Sequence, residues 1–161
     1  MLDKFEWPKP EHEADDRIIR NVRTHGCHIA GIIGDEKGPP YAFSIGLFLN
    51  YGHPEIVIFG LTRSDSAAFI NDIGDRAAKG QLYAAGDVSD DLVPGYRFCF
   101  VDVPLERYGA YLGTAIWFYA KSPRPFPCLQ LVWPDTEGRF PWQTACHADV
   151  KRDQPLLSSF S

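Results

Sequence analysis

Two apolar runs within residues 38–61 are joined by the polar break Asn50-Tyr51-Gly52-His53-Pro54-Glu55, which holds the one histidine and the one carboxylate of that stretch. An imidazole two residues from a carboxylate at the corner of a strand pair suits general acid–base chemistry. The carboxylate can orient the ring, or act as a base itself where apolar surroundings raise its pKa. The same residues also describe a stiff turn, in which Pro54 fixes the chain and Glu55 accepts backbone hydrogen bonds. Ser44, in the preceding apolar run, becomes a nucleophile only with a base such as His28 or His53 beside it, and no Gly-x-Ser-x-Gly elbow surrounds it. His53, Glu55, His28 and Ser44 are therefore the candidate catalytic set.

A second concentration lies at 133–142, where Trp133, Asp135, Arg139 and Trp142 flank a turn at Gly138. Two indoles with a few convergent polar groups suit a small-molecule pocket or the hot spot of a protein partner. The alternative is a packed C-terminal lid, with the tryptophans covering the sheet and Asp135 pairing with Arg139. With Tyr41, these four residues form the candidate ligand-binding set. His25, Cys27 and His28, with Cys146-His147 as a second pair, resemble soft metal ligands. A tetrahedral zinc site needs three or four ligands, however, and neighbouring strand residues point to opposite faces. No metal site is expected. Gly31, Gly34 and Gly38 precede a turn and a strand, not a helix N-terminus, so they form no phosphate-binding loop.

The elements that position these residues follow from periodicity. Residues 1–13 read as an arm packing through Phe5 and Trp7. Ile18, Ile19 and Val22 recur at helical spacing behind acidic residues and ahead of Gly26, which predicts a short helix over 15–24. Residues 27–33 and 41–49 read as strands of a hairpin across the turn 34–40. Residues 55–61, almost continuously apolar, read as a strand buried on both faces. Ser64 as N-cap, an apolar stripe from Ala67 to Ala77 and Lys79-Gly80 predict a second helix. Residues 84–95, with Asp87, Asp90, Asp91 and Pro94-Gly95, read as a loop. A strand over 96–103, a glycine-interrupted helix over 104–119 and a last strand over 128–133 complete the pattern.

The expected architecture is α+β: one curved, mostly antiparallel sheet of about five strands, closing at most into a partly open barrel, with about three helices packed on it. At 161 residues the chain is long enough for one domain, taken as 14–161. A net charge of −5 gives no electrostatic reason to approach nucleic acid or anionic lipid. No apolar run reaches the roughly 20 residues that span a bilayer, and the acidic, proline-bearing start is unlike a signal peptide. A cytoplasmic protein with reduced cysteines is expected.

The motifs His28, Phe43-Ser44-Ile45-Gly46-Leu47, His53-Pro54-Glu55, Trp133-Pro134-Asp135 and Phe140-Pro141-Trp142, with Gln154-Pro155-Leu156-Leu157, resemble a bacterial domain-of-unknown-function family, number 4262. The resemblance runs from about residue 25 onward. Cys27 stands where that family tends to have an aromatic residue, and Ser44 replaces its usual threonine. The resemblance implies a domain extent but no activity and no cofactor. Three function classes stay open: a small-molecule pocket protein, catalytic or not; a protein-interaction or immunity-like module; and a flavin-binding split barrel.

Overall fold

Acidic residues at the start of Glu13–His25, and Gly26 in the left-handed region after it, frame the first helix, α1, which buries Ile18 and Val22. The computed structural model describes residues 1–158. β1 (His28–Ile32) and β2 (Tyr41–Ile45) form the expected antiparallel hairpin.

The chain leaves β2 at Gly46 and turns into a five-residue helix, α2 (Leu47–Tyr51), instead of extending the strand to residue 49. An unbroken apolar run cannot distinguish a buried strand from a buried helix. Gly46 makes the turn at φ 114°, and a Cβ there would meet Gly26 O and Val22 Cγ1, each at 2.9 Å. β3 (Glu55–Phe59) is buried throughout.

β3 runs on to α3 (Arg63–Ala78), whose N-cap is Thr62 and not Ser64: its side chain accepts from the Asp65 N–H at 3.1 Å. The segment read as a loop contains β4 (Val88–Val93), paired with β5 (Tyr96–Asp102) through an irregular register. β4 is an edge strand, where aspartates facing water are tolerated and discourage further pairing. The helix expected over 104–119 is broken into a 3₁₀ turn (Leu105–Arg107), α4 (Tyr108–Tyr111) and α5 (Gly113–Phe118). β6 (Cys128–Val132) and α6 (Ala148–Asp153) follow, the latter in a tail whose mix of Gly, Pro, Trp and polar residues predicts no helix.

The six strands lie in the order β1-β2-β3-β6-β5-β4. Four pairings are antiparallel, and β3 runs parallel to β6. The fold is α+β with one mixed, open sheet. It does not close into a barrel, which removes the analogy with split-barrel flavoproteins. α1, α4 and α5 pack on one face, through Val22, Leu112 and Phe118 against Phe43, Val57 and Phe59. α3 packs on the other, through Ile70 and Ile73 against Ile56, Ile58 and Phe100. Phe5 and Trp7 of the N-terminal segment reach the ring of Phe118, with centroids 5.3 and 5.7 Å away. Among the described residues no helix is long and apolar enough to cross a membrane.

Candidate functional site

Glu55 opens β3, and its side chain is buried against the first turn of α2. Oε2 accepts from the N–H groups of Gly46 (3.0 Å) and Phe48 (3.2 Å), and Oε1 from Leu47 N–H (3.2 Å). These are the orphan donors that every helix start exposes. α2 has no side-chain cap of its own and is too short to persist alone, so a carboxylate from the next strand does the capping.

Two hydroxyls complete the ring. Ser44 Oγ accepts from Ile56 N–H (2.9 Å) and donates to Glu55 Oε1 (2.6 Å). The Tyr119 hydroxyl accepts from Leu49 N–H (3.2 Å) and donates to Glu55 Oε2 in a short contact. Burial pushes the Glu55 carboxyl upward, while the bonds from Ser44, Tyr119, Gly46 and Phe48 oppose that shift. Each hydroxyl accepts from a backbone N–H and has its own proton to offer Glu55, so five donors surround the carboxyl. Ser44 is wholly buried and Glu55 is 1% exposed. No route brings a substrate to them.

His53 is also wholly buried and turns elsewhere. Its Nδ1 lies 2.7 Å from Pro54 O, and its Nε2 accepts from Tyr83 N–H at 3.1 Å. A carbonyl only accepts and an amide only donates, so the ring is neutral with its proton on Nδ1. Burial lowers its pKa in the same sense. The imidazole thus ties the 53–55 corner to the loop at 83, not to Glu55. His28 accepts from Asn21 Nδ2 (2.9 Å), joining α1 to β1, and its pKa is lowered by burial with help from Arg17 and Arg63.

The tail residues sit at the other end of the sheet. Glu55 pairs with Cys128 at the start of the parallel strands β3 and β6, whereas Trp133 follows the end of β6 and donates through Nε1 to Phe59 O at 2.8 Å. Four residues of strand, roughly 13 Å, separate the two ends. Asp135 organises its own loop, accepting from the N–H groups of Glu137, Arg139 and His147 and pairing with Arg139 Nε at 3.1 Å. Burial opposes ionisation there, but those donors and the guanidinium hold the carboxyl well below the usual range. Trp142 stacks on Phe140 at 4.8 Å, covering Val132 and Cys99. The sequence-derived residues are therefore not gathered into one hollow.

The thiols are free. Burial, with Glu55 and Asp75 nearby, pushes Cys27 up to about 12, so it is a thiol at neutral pH. Among the described residues no group of three or more His, Cys, Asp or Glu side chains is placed to hold a metal ion.

A concavity lies beyond the carboxyl end of β3, beside the β1–β2 hairpin. A cleft of ≈ 1340 Å³ opens there, floored by Tyr41, Phe59 and Tyr111 and walled by Thr62, Arg63 and Ser66 at the start of α3. Arg152 and Asp153 of α6 close one side. α6 is seated tightly because Gly60 (φ 81°) has no side chain: a Cβ there would lie 2.7 Å from Asp153 O. The Tyr41 hydroxyl donates to Tyr111 O at 2.9 Å, and its ring lies 4.9 Å from that of Phe59. Tyr41 is the one residue of the sequence-derived candidate sets that lines this cleft. Arg63 and Ser66 were missed because polar residues at a helix start look like ordinary caps.

The fold and the cleft define an open α+β domain with a concave site at the strand ends. Residues 21–147 match the family described as Domain of unknown function (DUF4262), and the chain belongs to it. The match stops short of α6 and the 154–157 segment. No curated protein and no solved structure matches the chain.

Proposed function

We propose that this chain is a small-molecule-binding domain whose ligand occupies the cleft at the carboxyl end of β3, with His53, Glu55 and Ser44 holding the scaffold behind it. The observation that carries this reading is where the cleft lies. It opens where β3 hands the chain to α3, between that turn and the β1–β2 hairpin. The carboxyl end of a strand that leads into a helix is where ligands of open sheets commonly bind, because the helix start offers free donors there. The volume exceeds the roughly 300–1,000 Å³ of ordinary ligand pockets, and an aromatic floor with polar walls is their usual lining. At the Glu55 end, by contrast, every donor has its acceptor and water is excluded.

A fragment library screened by amide NMR against the ¹⁵N-labelled full chain tests the proposal. Hits should shift the amides of residues 41–42 and 59–66, and Tyr41→Ala should weaken them. Hits confined to other surfaces, or none from a diverse library, would overturn it. A second reading, a surface for a protein partner, draws on Ile33, which is 91% exposed on the cleft rim. An Ile33→Ser variant that loses no fragment binding but loses a partner would favour that reading.

A further inference from the structure

The geometry points to an anionic group, a phosphate or carboxylate on a small molecule with an aromatic or apolar body, bound at the start of α3 by Arg63, Ser66 and the first amides of the helix. This deepens the cleft reading above and rests on it. Three observations converge. α3 has 16 residues, and the N–H groups of Arg63 and Ser64 at its first two positions have no intrahelical acceptor. The next two are already used, Asp65 N–H by Thr62 Oγ1 and Ser66 N–H by Thr62 O.

The second observation is Ser66. It is 1% exposed, lines the cleft, and its hydroxyl has no hydrogen-bond partner among the described residues. A serine inside a helix ordinarily bonds back to the carbonyl four residues earlier, and this one does not. Ser122 Oγ is the side-chain atom both sealed and unpartnered among the described residues, so Ser66 Oγ opens onto the cleft. A nearly buried donor facing a cleft, with nothing to bond, is a place for a ligand atom.

The third is Arg63. It enters no ion pair among the described residues and lies along β1, its Nε 3.5 Å from where a Cβ of Gly31 would be. Apart from Arg63 the lining carries two cations, Lys37 and Arg152, beside three carboxylates, Asp35, Glu36 and Asp153. Arg152 is committed to Asp149 and Asp153, and Lys37 sits with Asp35 and Glu36 at the tip of the hairpin. Asp65, in the first turn, is not part of the lining. The other two cations of the lining are matched by carboxylates, which leaves Arg63 and the helix start as its anion-attracting part, beside the Tyr41–Tyr111 floor that would take the ligand's body.

Two probes that share a ring and differ in charge, phenyl phosphate and phenol, titrated into the labelled full chain, read this directly. Phenyl phosphate should shift the amides of Arg63 and Ser64 and bind roughly tenfold more tightly than phenol. Arg63→Ala should remove that advantage and leave phenol binding unchanged, and Ser66→Ala should remove part of it. Phenol binding in the cleft as tightly as phenyl phosphate, or an Arg63→Ala variant with undiminished phenyl phosphate affinity, would overturn the anion site and leave the cleft reading standing. Shifts only at scattered surface lysines and arginines would overturn it as adventitious binding. No response of any cleft amide to any probe, together with an empty fragment screen, would remove both.

Discussion

The two ends of β3 are built to opposite rules. At the amino end Glu55 sits in a sealed ring of five donors, and His53 beside it spends both nitrogens on the backbone. At the carboxyl end the chain passes through Gly60 into a helix at whose start Arg63 and Ser66 line an open cleft, the guanidinium without an ion pair and the hydroxyl without a hydrogen bond among the described residues. Ionisable chemistry that is fully satisfied and dry holds structure. Polar groups left wanting a partner at a surface are where a ligand adds something.

That contrast breaks most visibly at Glu55. Glu55→Ala leaves three amides and two hydroxyls unsatisfied in the interior and should cost about 3 kcal/mol or more, read as a lowered urea midpoint. Glu55→Gln turns an amide NH₂ toward a ring of donors and should cost somewhat less. A Glu55→Ala protein as stable as the parent would mean that the carboxylate is not the cap of α2.

The next effect is in pH. His53 and His28 are both held neutral, with pKa values below their ordinary one, while the unfolded chain takes up their protons near pH ~6.5. The unfolded state therefore binds more protons below that point. The contribution is fully present above it and declines as the pH falls. Denaturation midpoints should drop between neutrality and mild acid, and His53→Gln should flatten part of the slope. An unchanged slope in that variant would contradict the buried neutral ring.

A smaller, local effect belongs to the tail. Asp135→Asn should loosen the 136–147 loop and raise protease cleavage within it several-fold, while the cooperative melt of the sheet stays in place. Trp133→Phe, which removes one bond to Phe59 O, should cost about 1 kcal/mol. Arg63→Ala comes last: stability within about 0.5 kcal/mol of the parent, as for an exposed side chain away from packing, with the whole consequence in binding.

Much of the scaffold was legible because it obeys local rules. The 28–45 hairpin has its turn chemistry, β3 its unbroken apolar run, and α3 its stripe and glycine stop. α2 was hidden because its capping carboxylate arrives from the following strand, a tertiary event with no local signature. β4 was hidden because an edge strand can carry the aspartates that ordinarily mark loops. The parallel pairing of β3 with β6 joins segments more than 70 residues apart. His53 and Glu55 attracted notice as the polar corner of an apolar stretch, yet the same burial that makes them conspicuous is what commits them to backbone bonds. Arg63 and Ser66 drew none, since only the folded neighbourhood shows, among the described residues, one without an acid and the other without a bond. Gln130, a polar residue inside the last apolar strand, was a signal that could have been used: it holds the tail through Pro155 O and Leu157 N–H.

Residue-resolved amide hydrogen exchange on the full chain compares the two ends of β3 most directly. The amides of Gly46, Leu47, Phe48 and Ile56, locked to Glu55 and Ser44, should exchange only through global unfolding, while those of Arg63 and Ser64 exchange with little protection until an anionic ligand slows them. Exchange of the 46–48 amides through local opening, with strong protection at 63–64 in the unliganded protein, would contradict the division between a sealed end and a receptive one.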